Sequence, residues 1–337
     1  MTIKALVLAG GKGTRLKPLT DNMAKHLLPV ANKPIIFYIM EQIREAGIRD
    51  IGIVVSPENG RAIRRALGDG ASWAARISYI RQSPPLGIAH AVKTAQDFLG
   101  DASFLLFLGD NLVQDGVKAL VTEFNSHAPD ALIVLKRVPD PRAFGVAEID
   151  AAGKVIRVVE KPEKPGSDLA LVGVYMFTPA VHQSIARIRP SRRGEYEITD
   201  AIQDLLETGK EVRSHVLEGW WLDTGRKEDL LEANRTLLGA YLKRDIRGEV
   251  DGKSLIVGAV EIGAGTKVEN SRLQGPVSIA EGCRITDSSI GPFTSIGRRS
   301  VVKNSSIEAS IVLENTHIVD VPAARDDIFT GRVKPKP

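Results

Sequence analysis

An α/β fold built on a mostly parallel sheet, followed by a parallel β-helix, is predicted by two patterns in this 337-residue chain. Over residues 1–240, short apolar runs alternate with segments of helical apolar spacing, as strands and crossover helices of a parallel sheet do. Over residues 250–320, single aliphatic residues recur in steps of six, six and five. So short a period belongs to stacked β-coils that bury one inward residue per side. Residues 321–337 read as a C-terminal tail.

The first apolar run, Ala5-Leu6-Val7-Leu8-Ala9, is a buried strand stopped by Gly10-Gly11. Gly10, Gly11 and Gly13 allow positive φ and a close approach, so that successive amides can point at phosphate oxygens; Arg15 and Lys25 add mobile positive charge. Two better-known phosphate loops do not fit. Leu16 stands where the dinucleotide fingerprint needs its third small residue, and no Gly-Lys-Ser/Thr follows as a Walker A loop requires. Asn32-Lys33-Pro34 sets the start of a helix over Ile35 to Ala46, closed by Gly47. Strands are expected at 51–55, 77–81 and 104–108, with helices at 58–67 and 86–99 between them. That order implies right-handed crossovers and a ligand crevice beyond the carboxyl ends of the strands. The glycine loop, the segment 82–87 and Gly109-Asp110 all fall at such ends. From 131 to 178 the pattern turns to strands with hairpin signals, Asp150-Ala151-Ala152-Gly153 among them, before helix and strand return up to about 240.

In the last part the series Ile256, Ile262, Val268; Leu273, Ile279, Ile285; Ile290, Ile296, Val302; Ile307, Leu313, Val319 repeats every 17 residues, giving about four coils. It resembles the interrupted hexapeptide repeats of left-handed β-helices. Such helices also occur in acyltransferases. Acyl transfer of that kind wants a positioned base, and the only histidine here is His317 near the end. A structural or oligomer-forming role is therefore expected, with no acetyl-CoA-dependent activity.

Composition narrows the class. Hydrophobic residues at 43% and charged residues at 26% are those of an ordinary globular protein, and 337 residues suit two domains at about 150 each. No apolar run reaches membrane-span length, and Met1-Thr2-Ile3-Lys4 has no signal-peptide layout, so a cytoplasmic protein is expected. The single Cys283 fits a reducing compartment and excludes a cysteine-rich zinc site. Net charge is only +4, from 45 basic and 41 acidic residues, with no basic stripe for nucleic acid. His26, His90, His127, His182, His215 and His317 are scattered without metal-ligand spacing.

GGKGTRLKPLT followed by AKHLLPVANKPII resembles the sugar-nucleotidyltransferase family, and within it the glucose-1-phosphate thymidylyltransferases. The resemblance implies a Rossmann-like domain with a nucleotide-facing half at about 1–130 and a sugar-facing half at about 131–240. It implies condensation of a nucleoside triphosphate, dTTP foremost, with α-D-glucose 1-phosphate, releasing pyrophosphate. UTP, another sugar 1-phosphate, or a non-catalytic scaffolding homologue are the alternatives. By the same resemblance Leu8, Gly10, Gly11, Gly13, Thr14, Arg15, Gln82, Gly87 and Asp110 bind the nucleotide. Arg15, Lys25 and Lys161 carry the catalysis; Gly145, Glu160, Lys161, Val172 and Glu195 bind the sugar. Asp110, in Leu108-Gly109-Asp110-Asn111, and Asp223, in Trp220-Trp221-Leu222-Asp223-Thr224-Gly225, match aspartates that hold Mg²⁺, an ion suited to two hard oxygen ligands plus substrate phosphates. Phe144 departs from a common tyrosine and His90 from a common glutamine. The implied partners are small molecules and a second copy of the chain, with no nucleic acid and no membrane.

The chemistry sets its own demands. Two unit charges of like sign at 4 Å repel by about 4 kcal/mol at an effective dielectric near 20, so cations must dominate such a site. A phosphate monoester has its second pKa near about 6, so the attacking oxygen is already anionic and no general base is required. For the base, a Gln82 amide can donate to O4 and accept from N3–H of thymine or uracil, a pairing that cytosine reverses.

Overall fold

Strands made only of aliphatic and aromatic residues, with no polar face, can lie only where both faces are covered. Phe104–Leu108 is such a strand, with Leu105, Leu106 and Phe107 all fully buried, and it sits inside a nine-stranded sheet. The structure is a computed structural model describing residues 3–334; Met1, Thr2 and the last three residues of the expected tail lie outside it.

The strands Arg76–Arg81, Asp50–Val55, Lys4–Leu8 and Phe104–Leu108 stand in that spatial order, all parallel. Leu169–Phe177 joins antiparallel to Phe104–Leu108 and carries Ala131–Arg137 and Gly145–Ile149 on its other pairings. Val155–Glu160 closes a hairpin on Gly145–Ile149, and Val212–Val216 lies parallel to Ala131–Arg137. Only Leu169–Phe177 and Val155–Glu160 run against the rest, so the sheet is mostly parallel as expected. Alternate residues of Lys4–Leu8 serve opposite faces. Ala5 and Val7 join a core with Ile36, Ile39, Met40 and Ile43 of the helix Ile35–Glu45. Leu6 joins a second core with Val92 and Ile202 from the helices Ile88–Thr94 and Ile198–Glu207. The single helix expected over 86–99 is two pieces, Ile88–Thr94 and Gln96–Leu99, parted where Ala95 leaves the helical region.

By compactness the chain forms two units. One holds the residues up to Gly13, Met23–Leu27 and Ile36–Asp223; the other holds Thr14–Asn22, Leu28–Ile35 and everything from Thr224 onward.

The second unit is built on three parallel sheets of six, six and five strands, beginning at Asp245–Ile246, Glu249–Val250 and Leu255–Val257. Each coil gives one strand to each sheet, so there are five full coils and a partial sixth where about four were expected. Residues past 320 are not a tail. Ala324–Arg325, Ile328–Phe329 and Arg332–Val333 each pair with the coil before, and their signal was weak because Ala324 follows Ile307 in the inward series and Val333 pairs with Ile318 after 15 residues instead of 17. Ile296 pairs with Val312 and Val302 with Ile318, so those two residues, rather than Leu313 and Val319, continue the inward ladder. That coil is one residue shorter; the turn absorbs the deletion and keeps the aliphatic faces inward. The turns are knit by a serine ladder in which Ser254, Ser271, Ser288 and Ser305 each accept, through Oγ, a backbone N–H from the next coil at 3.0–3.2 Å.

The same unit holds the hairpin of Pro29–Val30 and Lys33–Pro34 together with the helix Lys227–Tyr241. Asn234 on that helix is fully buried. It accepts from Ala31 N and from Ser295 Oγ, both at 2.8 Å, and donates to the Phe293 carbonyl at 2.9 Å.

Ile285 is fully buried at the centre of the coil stack, whereas Ile256 in the first coil is only partly buried. Ile285→Ala is expected to cost about 2–5 kcal/mol through lost transfer energy and a residual cavity, and Ile256→Ala clearly less. Urea-unfolding midpoints of the two variants check the order.

Candidate active site

Where the adjacent strands Lys4–Leu8 and Phe104–Leu108 end, the backbones come too close for a side chain. A Cβ on Gly109 would stand 2.6 Å from the Leu8 carbonyl oxygen and 2.9 Å from His26 Cδ2, and the Gly109 N–H donates to that same oxygen at 2.9 Å. Only glycine lets the chain pass and deliver Asp110 beyond the strand end. Lys25 and His26 reach the place from the one-turn 3₁₀ helix Lys25–Leu27, and both are buried. The Lys25 ammonium donates directly to Asp110 Oδ2. Burial alone would push the Asp110 carboxyl up, but the Lys25 charge and hydrogen bond outweigh it and hold the group below its usual range.

Asp110 Oδ1 accepts from Asn111 Nδ2 at 2.9 Å. Asn111 Oδ1 in turn accepts from the Trp221 indole N–H at 2.6 Å and from Gly173 N at 3.4 Å. A Cβ on Gly173 would sit 2.6 Å from Leu108 and 2.9 Å from Asn111, so glycine is required there too. Trp221–Asp223 pairs antiparallel with Asn111–Val113, and the register sets Asp223 opposite Asn111. Opposite residues in such a ladder lie about 4.5–5.5 Å apart at Cα. Asp223 is thus set across the ladder from the residue that follows Asp110, although the two aspartates named from the sequence lie more than a hundred residues apart in the chain. They are hard oxygen donors at the mouth of a parallel sheet, which fits a divalent ion that keeps waters and takes further oxygens from substrate. Among the described residues no three or more His, Cys, Asp or Glu side chains gather as a metal site.

His26, dismissed in the sequence as one of several scattered histidines, sits at the centre of this packing. Its ring lies against Gly109 and Gly11, and its Nδ1 has no hydrogen-bond partner. Burial lowers its pKa to about 4 despite the opposing pull of Asp110, with Lys25 adding to the fall.

In the glycine loop only Gly13 takes positive φ, at 65°; Gly10 and Gly11 do not, contrary to expectation. At both, a Cβ would make only ordinary van der Waals contacts with the protein. A Cβ on Gly10 would stand 3.6 Å from Ser56 N and 3.7 Å from Gln82 Oε1, and one on Gly11 3.8 Å from the His26 ring. Gln82 Nε2 donates to the Gly87 carbonyl at 3.2 Å and lies 3.0 Å from His90 Nδ1. Both amide hydrogens are therefore taken, and the donation to O4 expected from the sequence is not available. Thr14 and Arg15 fall in the 3₁₀ turn Thr14–Leu16, which belongs to the second unit, where the charge of Arg15 acts on Asp229.

Of the residues expected on the sugar side, Glu160 lies against Gly145 and Lys161 beside Glu160. A Cβ on Gly145 would meet Thr199 Cγ2 at 2.6 Å and Glu160 Oε2 at 3.3 Å. Thr199 donates to Glu160 at 3.2 Å, and Lys161 and Arg193 approach the same carboxylate at 3.6 and 3.5 Å. Burial first, then the charge of Glu197, raises the Glu160 pKa. Arg193 also pairs with Glu195 and with buried Glu197, both at 2.9 Å. Sequence reasoning missed it, although it opens the Arg193-Gly194-Glu195 run that supplied Glu195. Lys161 adopts φ 42°, a left-handed conformation unusual for lysine, and donates its N–H to the Phe144 carbonyl at 3.0 Å. Val172 is buried in the core, so its side chain does not face the cluster, and the Phe144 ring packs on Trp221 at 5.0 Å. Gly87 joins the two regions. At φ 102° it passes so close to the next segment that a Cβ would be 2.5 Å from Tyr196 O and 3.1 Å from Glu195.

Residues 4–239 match the family described as Nucleotidyl transferase. The chain belongs to the nucleotidyl transferase family. Enzymes of this family generally use a divalent metal. A glucose-1-phosphate thymidylyltransferase of Streptomyces griseus is 51% identical over 95% of this chain and 89% of that relative. The low-salt glycan biosynthesis nucleotidyltransferase Agl11 of Haloferax volcanii is 44% identical over 94% and 89%. A solved Bacillus anthracis structure, provisionally assigned as a glucose-1-phosphate thymidylyltransferase and holding sucrose, is 36% identical with a TM-score of 0.65. It covers 69% of this chain and 94% of its own.

Because His26 is held neutral in the fold with its pKa near 4, while the unfolded chain titrates near 6.5, the unfolded state binds the proton first as pH falls. Stability is therefore expected to drop from pH 6.5 towards 4, and His26→Gln to remove that component. Urea midpoints of both proteins between pH 7.5 and 4.5 measure the difference.

Proposed function

We propose that this nucleotidyltransferase makes dTDP-glucose from dTTP and α-D-glucose 1-phosphate. The observation that supports the reading is the Asp223–Asn111 register, which sets a second aspartate across from the residue that follows the Lys25-paired Asp110. In the reaction a sugar-phosphate oxygen attacks the α-phosphorus in line; one P–O bond forms, the bond to the β-phosphate bridge breaks, and pyrophosphate leaves. No proton need move, because the attacking oxygen is already anionic.

In this proposal the Gly10–Gly13 backbone, Thr14, Arg15 and Lys25 take the triphosphate, Lys161 the sugar phosphate, and Gly145, Glu160 and Glu195 the sugar. Asp110 and Asp223 would hold Mg²⁺, which supplies charge neutralisation at the phosphates when bound. Gln82, with only its carbonyl left to offer, accepts the N3–H of thymine or uracil alike. The C5 methyl then adds about 1–3 kcal/mol in favour of dTTP over UTP. We place the protein in the cytoplasm, where its phosphorylated substrates are made; among the described residues no helix is long and apolar enough to cross a membrane. The β-helix is proposed to serve structure and assembly into a homo-oligomer.

A pyrophosphate-release assay over a matrix of nucleoside triphosphates and sugar 1-phosphates is expected to peak at dTTP with glucose 1-phosphate and to vanish with EDTA. Asp110→Asn and Asp223→Asn should each lose about a hundredfold or more in kcat/KM, since one oxygen charge goes with little change of shape. Wild-type rates in both variants would remove the aspartates from the site.

A further inference from the structure

Gln82 is only 7% exposed, and the two contacts of its amide nitrogen leave no freedom to its orientation. The Gly87 carbonyl can only accept, which identifies the amide end facing it as nitrogen. His90 Nδ1 then also faces an N–H, so it is the bare, accepting nitrogen of a neutral ring. Burial and the nearby charge of Lys93 both favour that neutral form. The ring is itself held in place. It stacks on Tyr196 at 6.3 Å, and the Tyr196 backbone clasps the same loop, donating to Leu86 O at 2.7 Å and accepting from Ala89 N at 3.1 Å. What Gln82 has left is Oε1, directed to the glycine loop at Gly10.

We propose that His90 is a positioning residue that sets base specificity. Together with the Gly87 carbonyl it captures both amide hydrogens of Gln82, so the nucleotide site presents an acceptor and selects bases with a ring N–H, thymine and uracil, against cytosine. The proposal rests on Gln82 being the base contact. Cytosine meets Gln82 Oε1 with a second acceptor, N3, and nothing in the clamp can turn the amide to meet it. Without an acceptor at position 90 one buried amide hydrogen is unpaired, the orientation rests on Gly87 alone, and the amide can turn its free hydrogen to N3 of cytosine.

Steady-state kinetics with dTTP and dCTP test this. His90→Leu, and His90→Phe, which keeps a ring against Tyr196, should each lower the dTTP to dCTP ratio of kcat/KM about tenfold. The change should come through a higher KM for dTTP, with kcat within about twofold of wild type. His90→Gln, which restores an acceptor, should keep the wild-type ratio. An unchanged ratio in the Leu and Phe variants, alongside a lost ratio in Gln82→Met, overturns the role of His90 and leaves Gln82 as base reader. A wild-type ratio in Gln82→Met overturns base reading by Gln82 and this proposal with it. A fall in kcat at constant KM, or a lost ratio in His90→Gln, also overturns it; the last variant decides the matter if the apolar ones do not fold.

Discussion

A buried lysine ammonium and a partly buried aspartate carboxylate, meeting where two adjacent parallel strands end, form the interaction on which the site depends. Taking such charges out of solvent is costly, and removing one partner from a buried pair typically destabilises by about 3–5 kcal/mol because the other is left uncompensated. The pair between Lys25 and Asp110 is therefore surrounded by groups that fix its geometry. Asn111 supports the second carboxylate oxygen and is itself pinned by Trp221 and Gly173. Gly109 and Gly173 are glycines because their neighbours stand too close for any other residue. Sites that keep opposite charges in a weakly screened crevice strengthen every later electrostatic contact made there.

The cluster around Glu160 is organised differently. Three carboxylates, Glu160, Glu195 and Glu197, share one guanidinium, Arg193. That arrangement gathers three carboxylates about one guanidinium while a second cation, Lys161, stands beside Glu160 on a strained backbone. The strain has a cause in the hairpin, where Lys161 must bond back to Phe144 directly after leaving the strand. Phe144 in turn lies on Trp221, two residues from Asp223. The acceptor cluster and the aspartate ladder are thus mechanically continuous through one aromatic contact.

Much of this was legible in the sequence, because apolar runs and glycine stops are local signals. The strand Phe104–Leu108 and the helix from Ile35 stand where the pattern put them. What escaped notice is non-local. The ladder that joins Asn111–Val113 to Trp221–Asp223 is three residues long on each side and leaves no period to detect. The burial of His26 is decided by two glycines, one of them more than eighty residues away, and not by its own surroundings in the chain. The hairpin Pro29–Pro34 turns through Ala31 and Asn32 at φ 47° and 62°, where a glycine or an Asn-Gly pair would have announced it. The β-helix showed its period plainly except where one coil dropped a residue and where Ala324 replaced an aliphatic and Val333 came early after Ile318.

That unannounced hairpin says something about the C-terminal coils. Two successive non-glycine residues in the left-handed region are strained and persist only where their surroundings fix them. Here the fixing groups come from the helix Lys227–Tyr241 and the coils. Asn234 takes the Ala31 N–H, while Asn32 Nδ2 donates to the carbonyl and hydroxyl of Ser278 at 3.0 and 2.9 Å. Ser278 is braced by Glu261 in the preceding coil at 2.7 Å. A buried amide held by three hydrogen bonds, as Asn234 is, specifies one arrangement, whereas one left without partners would cost more than an apolar contact. The β-helix therefore does more than extend the chain. It orders a stretch some two hundred residues earlier in the sequence, one that begins two positions after the turn that carries Lys25.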